Sequence, residues 1–222
     1  MFPRLYAVLD GSILGPAVEA SAQKLIAAGV RLFQYRHKKA SSRQLFTVCQ
    51  NLSRNMKAAE ARFVVNDRCD IARLTASGGV HLGQEDLDPK EARAIVGGES
   101  WVGLSTHTLG EVEAAATTTA DYIAIGPIFP TISKEGARPP VGLGLIREAR
   151  KITDKPLVAI GGITLETAPE ALAAGADSVA VIRDLIEAAD VGARARQYLE
   201  VLRALKPAPR LGGARRSREC QN

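Results

Sequence analysis

The chain has 222 residues, 46% of them hydrophobic and 24% charged, which is typical of a globular protein large enough to bury a substantial core. Most of its net charge of +5 lies in residues 206–222, where five basic residues accompany one acidic residue. The nearly neutral remainder gives no argument for a surface that binds nucleic acid, and no apolar run approaches the roughly 20 residues of a membrane-spanning helix.

The three cysteines, Cys49, Cys69 and Cys220, are odd in number and show no CxxC spacing. This pattern predicts reduced thiols, and it favours neither a disulfide framework nor a zinc site. The first residues, MFPRLYAVLD, lack the charged segment and the long apolar stretch of a signal peptide. We therefore expect a cytoplasmic protein without nucleic-acid or membrane partners.

Short β-branched runs alternate with helical segments along the whole chain, as in α/β proteins with a parallel sheet. The runs predict strands at Leu5–Leu9, Leu32–Tyr35, Phe63–Asn66, Gly79–Leu82, Trp101–Ser105, Tyr122–Ile125, Leu157–Ile160 and Ser178–Val181. The intervening segments predict helices at Ala17–Ala28, Ser41–Ala59, Asp70–Thr75, Pro89–Val96, Leu109–Thr117, Leu145–Ile152, Leu165–Ala173 and Asp184–Leu205.

Eight such strand–helix units in roughly 200 residues predict an α/β fold with a single (β/α)8 TIM barrel. A doubly wound open sheet is the alternative. No internal linker interrupts the pattern, so we expect one catalytic domain over residues 1–205. Residues 206–222 are rich in Pro, Gly and Arg and have no apolar period, which predicts a flexible, disordered basic tail.

The segment after the second strand, Gln34 to Lys39, is strongly basic. At the face where the strands of such a barrel end, Arg36 and Lys38 would suit an anionic substrate. A solvated basic turn is an equally good interpretation of this segment by itself.

Acidic residues follow the third and fourth strands, as Asn66-Asp67 and Gln84-Glu85-Asp86. Parallel strands end on one face, so these groups should converge, and two carboxylates are hard ligands suited to a Mg²⁺ ion that carries a phosphate. Asp88 precedes Pro89 and predicts a helix cap, which leaves Asp86 available, whereas Glu85 is ambiguous. Asn66-Asp67 taken alone would also fit an Asx turn that caps the next helix.

The fifth strand ends in Ser105, Thr106 and His107. No nucleophile elbow or triad order surrounds Ser105, so we interpret it as a hydrogen-bond donor and not a nucleophile. His107 and His81 receive no catalytic role, because packed or capping histidines are more common than bases.

A long irregular segment, residues 126–144, follows the sixth strand and carries Thr131, Ser133 and Lys134. These groups could bind phosphate as a closing lid, and a mobile surface loop is the alternative. After the seventh strand, Gly161 and Gly162 would let a phosphate approach the backbone. Two anionic subsites suggest one substrate with a diphosphate leaving group and a second substrate with one phosphate.

Six motifs in order resemble the thiamine-phosphate synthase family, and together they span about Leu5 to Leu185: QYRHK, VVNDRCDIA, GVHLGQED, GLSTHT, GPIFPTISK with PPVGL, and AIGGI with GADSVAVI. Enzymes of this family join a hydroxymethylpyrimidine diphosphate to a thiazole phosphate and release diphosphate. The resemblance implies a dissociative reaction, in which diphosphate leaves before the thiazole nitrogen traps the carbocation.

The resemblance also implies roles for particular residues. Asp67 and Asp86 would bind Mg²⁺, and the residues implied to contact the pyrimidine diphosphate are Gln34, Tyr35, Arg36, His37, Lys38, Asn66, Ser105 and Lys134. Among these, Arg36, Ser105 and Lys134 would be catalytic. The thiazole phosphate would lie against Thr131, Ile132, Ser133, Gly162, Ile182 and Arg183.

Two positions depart from the family pattern. His37 stands where the family commonly has Glu, and Arg183 stands where it commonly has a small Ser, so Arg183 would either strengthen phosphate binding or point to solvent.

The alternatives are a thiazole tautomerase of the same fold and a non-catalytic barrel that binds a phosphometabolite. A tautomerase has no diphosphate substrate and should not need Asp67, Asp86 and Lys134 together, so their presence favours the synthase. The sequence leaves open whether the chain forms a homo-oligomer.

Overall fold

The computed structural model describes residues 1–131 and 139–205. Within these residues, eight parallel strands pair in chain order, and β1 pairs with β8 to close a barrel. The strands are β1 (Leu5–Asp10), β2 (Leu32–Arg36), β3 (Arg62–Asn66), β4 (Gly79–Leu82), β5 (Trp101–Thr106), β6 (Tyr122–Ile125), β7 (Leu157–Ile160) and β8 (Ser178–Val181). The (β/α)8 barrel is confirmed, and the closed pairing excludes a doubly wound open sheet.

The helices lie outside the barrel: α1 (Gly11–Leu14), α2 (Val18–Ala28), α3 (Ser42–Ala58), α4 (Cys69–Leu74), α5 (Pro89–Val96), α6 (Leu109–Thr117), α7 (Gly142–Ile152), α8 (Ala168–Ala173), α9 (Arg183–Ile186) and α10 (Val191–Ala204). Those at Pro89–Val96 and Leu109–Thr117 have the predicted bounds. The described part of the chain contains no helix of the length and apolarity that a membrane crossing requires.

The observed helices differ from the predicted ones at several places; the helix predicted at Leu145–Ile152, for example, begins at Gly142. Three of the differences have a local reason. The sequence pattern did not predict α1, which begins because Asp10 Oδ1 accepts a hydrogen bond from the Ser12 amide at 2.9 Å. The single helix predicted over Asp184–Leu205 is two helices, because Asp190 caps a new start by accepting from the Ala193 amide. The start predicted at Leu165 falls instead at Ala168, because Thr164 and Thr167 bond to each other in a turn.

The core has two layers, because alternate residues of each strand lie on opposite sides of the sheet. An outer layer lies between the strands and the helices, and it includes the buried free thiols Cys49 and Cys69. The inner layer fills the barrel with Tyr6, Val8, Leu32, Val64, Tyr122, Ala124, Val158 and Ala180. At the amino-terminal end of the barrel, the Phe2 ring stacks on Trp101 with centroids 5.0 Å apart. These two rings thus lie at the end of the barrel opposite to the one where the strands finish.

Gly103 is placed inside the barrel on β5, where space is limited by two larger side chains. A Cβ at this position would overlap the Tyr122 ring and lie 2.6 Å from His81 Nδ1. A glycine within a strand often marks such a close approach. Gly103 thus makes room for the contact between Tyr122 and His81.

We expect Gly103→Ala to lower the free energy of unfolding by about 1–3 kcal/mol, because overpacking must displace Tyr122 or His81. Urea unfolding of the purified variant measures the change. Gly110→Ala is the control, since a Cβ at Gly110 has nothing within 4 Å. Equal stabilities for the two variants would contradict this account of the barrel interior.

Candidate functional site

The carboxyl ends of β1 and β2 are joined by an ion pair. Asp10 and Arg36 are register partners, and Arg36 Nη1 lies 2.6 Å from Asp10 Oδ2. Asp10 is 3% exposed and Arg36 is partly buried, so the carboxylate holds the guanidinium in place at the mouth. Sequence reasoning missed Asp10, although an acid directly after the apolar run LYAVL was the available signal.

Asp67, at the mouth beside the end of β3, has an unusual backbone and a charged partner. Its φ is +62°, a conformation that Asp tolerates better than most residues, and its amide donates to the His81 carbonyl at 2.8 Å. The Lys38 ammonium binds its carboxylate. Asn66 and Asp67 do not cap α4, whose first flanking residue is Arg68, so the Asx-cap interpretation was wrong.

Asp86 approaches Asp67 from the segment after β4. Burial raises the pKa of Asp67, Lys38 opposes that rise, and the neighbouring Asp86 carboxyl adds to it. Asp86 Oδ2 accepts from the Gly83 amide at 2.7 Å, while Asp88 caps α5 by accepting from Lys90, as predicted.

Two adjacent carboxylates fit Mg²⁺, which usually takes one or two protein carboxylates and completes its coordination with substrate phosphates and water. The two acids, Asp67 and Asp86, are held by separate strand ends that the barrel brings together. Among the residues that the structure describes, no group of three or more His, Cys, Asp or Glu side chains is arranged around a metal position. Two carboxylates would leave the other positions around a Mg²⁺ ion to water or phosphate oxygens.

Gln34 and Ser105 both lie at the edge of the barrel interior and bond to residues that sequence reasoning did not select. Gln34 Nε2 donates to Tyr6 Oη at 2.9 Å, and Ser105 Oγ lies 2.8 Å from His81 Nε2. Gln84 Nε2 donates to the Ser105 carbonyl at 2.6 Å. Tyr6 could have been selected only from its inward position on β1, and that position could not be known without the register of the strands.

His81 lies where a general base for Ser105 would lie, but its pKa is too low for that role. Burial lowers the pKa of His81 to about 4. The Asp86 carboxylate opposes this shift, and the Lys38 charge adds to it. A buried imidazole that resists protonation is a poor acceptor for a serine proton. The interpretation of Ser105 as a donor and not a nucleophile agrees with this geometry.

Tyr35 and His37 lie on the other side of β2 from Gln34. Tyr35 is 4% exposed in the layer beneath the helices, and its Oη is 3.3 Å from His37 Nδ1. Both side chains pack against Gly11, where a Cβ would lie 2.6 Å from Tyr35 Oη. The structure thus separates these two predicted contact residues from Gln34 and Arg36, and their contact with a substrate stays a prediction.

The segments after β6 and β7 bond to each other through their backbones. The Ile128 amide donates to Ile160 O at 2.9 Å and the Phe129 amide to Gly161 O at 3.0 Å. Gly161 and Gly162 have φ of +93° and +66°, and a Cβ on Gly162 would lie 2.5 Å from Pro130 O. Packing alone therefore requires glycine here, whatever the role of Gly162 in binding phosphate.

The remaining predicted contacts lie at β8 and in the segment after β6. Ile182 flanks α9, and Arg183 Nη1 pairs with Glu187 Oε1 at 2.5 Å. Arg183 Nε is buried and has no hydrogen-bond partner among the residues described. Thr131 is partly buried. Ile132, Ser133 and Lys134 lie outside the described residues, so their predicted roles stay predictions.

A closed parallel barrel with charged and polar groups at its strand ends defines the class of (β/α)8-barrel enzymes. Residues 5–185 match the family model described as thiamine monophosphate synthase. The chain belongs to this family.

The chain is 46% identical over 205 residues to a thiamine-phosphate synthase of Koribacter versatilis, a match that covers 90% of this chain and 96% of that protein. A thiamine-phosphate synthase of Methanospirillum hungatei is 38% identical over 200 residues, covering 89% of this chain and 97% of that protein. A solved thiamine phosphate pyrophosphorylase of Pyrococcus furiosus superimposes with a TM-score of 0.82 and is 32% identical, covering 90% of this chain and 95% of that one.

The burial of His81 predicts a pH dependence of stability. Its pKa is about 4 in the folded chain and near 6.5 when unfolded, so the unfolded chain binds the proton more tightly. Between pH 7 and pH 5, this group alone should lower the free energy of unfolding by about 2 kcal/mol.

Urea unfolding at both pH values, compared between the parent and His81→Gln, measures this contribution, because the comparison cancels the titration of the carboxylates. A parent whose pH dependence in this range equals that of His81→Gln would contradict the burial of a neutral imidazole at this position.

Proposed function

We propose that this chain is a Mg²⁺-dependent thiamine-phosphate synthase of the cytoplasm. It transfers the hydroxymethylpyrimidine group from its diphosphate to the nitrogen of the thiazole phosphate, forming thiamine phosphate and releasing diphosphate. The observation that carries the proposal is the convergence of Asp67 and Asp86 beside Lys38, within the same mouth as Arg36.

A diphosphate leaving group develops negative charge as its bond to carbon breaks. Bound at Asp67 and Asp86, Mg²⁺ would stabilise that charge as a Lewis acid. Arg36 is held by Asp10, and Lys38 lies beside Asp67, so both cations are oriented before a substrate arrives. Preorganised charge of this kind lowers the barrier because little reorganisation accompanies the reaction.

The reaction needs no protein nucleophile. The electron pair of the breaking C–O bond leaves with the diphosphate, and the lone pair of the thiazole nitrogen forms the new C–N bond. The roles proposed for Gln34, Asn66 and Ser105 are therefore to orient the pyrimidine diphosphate by hydrogen bonds. Lys134 would add a further cation on the diphosphate.

The thiazole phosphate would bind at the opposite part of the mouth. There the backbones after β6 and β7 form a bonded unit, and Gly162 and Ile182 border it. Arg183 supports this placement through its buried Nε, which has no hydrogen-bond partner within the described ranges. Thr131, Ile132 and Ser133 complete the proposed set.

A thiazole tautomerase of the same fold is the competing function. The (β/α)8 barrel carries many unrelated reactions, so architecture alone does not identify a reaction. The paired carboxylates favour the synthase, because an isomerisation has no departing diphosphate for Mg²⁺ to stabilise.

The decisive assay incubates the purified chain with both phosphorylated precursors, with and without Mg²⁺, and measures thiamine phosphate and diphosphate. We expect both products in equal amounts, and only with Mg²⁺. Isomerised thiazole phosphate without thiamine phosphate would identify a tautomerase. Binding of both precursors without any product would identify a non-catalytic barrel.

Asp67→Asn should lower kcat/KM by at least about 100-fold, because it removes a metal-ligand charge while Asn still tolerates the positive φ. Asp88→Asn is the matched control, since Asp88 lies on the same surface as a helix cap and Asn caps equally well. Steady-state rates across a Mg²⁺ titration measure the difference. An Asp67→Asn enzyme with the Mg²⁺ response of the parent would refute the ligand assignment.

A further inference from the structure

Hydrogen bonds run across the barrel interior from Gln34 to Ser105. Gln34 Nε2 on β2 donates to Tyr6 Oη on β1 at 2.9 Å, and Tyr6 Oη lies 2.9 Å from Tyr122 Oη on β6. Tyr122 Oη is 3.0 Å from His81 Nδ1 on β4, and His81 Nε2 is 2.8 Å from Ser105 Oγ on β5. These contacts, which we call the interior relay, join two residues that we propose touch the pyrimidine diphosphate.

The relay is held rigidly inside the barrel. Tyr6 and Tyr122 are 1% and 0% exposed, and His81 is 6% exposed. The His81 ring stacks on Tyr122 with centroids 5.6 Å apart, and Gly103 provides the space for this contact. A buried polar group without a hydrogen-bond partner is destabilising, so the favoured arrangement is the one in which every hydroxyl and ring nitrogen of the relay is paired.

That requirement determines the direction of the hydrogen bonds. The Gln34 amide nitrogen can only donate, so Tyr6 Oη accepts from it and must place its own proton elsewhere. Among the described residues, the other hydrogen-bond partner of Tyr6 Oη is Tyr122. Tyr122 then donates to His81 Nδ1, and a neutral imidazole that accepts at Nδ1 carries its proton on Nε2.

The consequence falls on Ser105. His81 Nε2–H donates to Ser105 Oγ, so the serine proton does not point into the barrel. Ser105 is partly exposed at the carboxyl end of β5, and its proton is therefore free to meet an acceptor in the mouth. The opposite direction would bind the serine proton to His81 and leave the Tyr6 hydroxyl proton without an acceptor among its neighbours in the described chain.

We propose that Tyr6 and Tyr122 hold His81 as its Nε2–H tautomer, and that His81 in turn makes Ser105 a hydrogen-bond donor to the bound pyrimidine diphosphate. All three are positioning residues. This inference rests on the proposed function. It adds that three residues without substrate contact determine that Ser105 donates its proton to the substrate. The same relay prevents Ser105 from acting as a serine nucleophile, since the adjacent ring nitrogen already bears a proton.

The first test is nitrogen NMR of the ¹⁵N-labelled chain, which distinguishes the two ring nitrogens of each histidine. The chain has three histidines, and the His81 signals are assigned by their loss in His81→Gln. We expect the proton on Nε2 and an accepted hydrogen bond at Nδ1. A proton on Nδ1 would overturn the proposal. This readout requires no turnover, so it stands even if the chain fails to make thiamine phosphate and the proposed function falls.

The second test removes one hydroxyl. Tyr122→Phe should shift the His81 Nδ1 signal and lower kcat/KM by about tenfold, the worth of one buried hydrogen bond. Tyr198→Phe is the matched control, because it also removes a buried tyrosine hydroxyl, here one that bonds to Asp184 on α9. We expect the His81 signals and kcat/KM of Tyr198→Phe to match the parent, so equal effects of the two variants would contradict a positioning role.

The third test compares two amide side chains of different length at position 81. In His81→Gln the amide nitrogen can occupy the place of Nε2 and donate to Ser105, whereas the shorter amide in His81→Asn reaches only the place of Nδ1. We expect His81→Gln to keep at least about tenfold more kcat/KM than His81→Asn, with the difference in measured turnover and not in urea stability. Equal activity of the two variants would contradict the proposal that His81 acts by donating a hydrogen bond to Ser105.

Discussion

The pairing of β1 with β8 is the constraint on which the rest of the molecule depends. Backbone hydrogen bonds between Leu5–Ala7 and Val179–Val181 close the sheet, so that all strands end around one mouth. Closure also gives the barrel an inside, in which alternate residues of every strand meet across the axis. The charged mouth and the polar interior are both results of this one geometric condition.

The mouth concentrates charge in compensated pairs. Arg36 is neutralised by Asp10, Lys38 by Asp67, and Asp67 in turn lies beside Asp86. Such pairs limit the cost of holding charges in a partly buried site before a substrate binds.

The glycines after β7 serve packing in the same way that Gly103 does, since a side chain at Gly162 would collide with the segment after β6. The site is therefore supported by contacts that are required whether or not a ligand is present.

The interior differs from the apolar filling that is usual for such barrels, because two tyrosines, a histidine and a glutamine cross it in one hydrogen-bonded line. Sequence reasoning set His81 aside as a packed histidine, and its burial agrees with that. Its partners, however, lie 24 and 41 residues away, at Ser105 and Tyr122. No local pattern could pair them, because the pairing depends on the register of β4, β5 and β6.

The sequence by itself determined the eight strands, the barrel class and the resemblance to a family, because apolar periodicity and short motifs are local properties of the chain. It also identified Asp88 as a helix cap and Asp67 and Asp86 as a candidate pair, since residues at strand ends converge in any parallel barrel. Only the tertiary structure decided that Asp10 holds Arg36, that Tyr35 faces the helices and that His81 joins Ser105 to Tyr122. Those facts depend on which strand neighbours which, and at what register, and such long-range pairing is decided by the packing of the whole barrel.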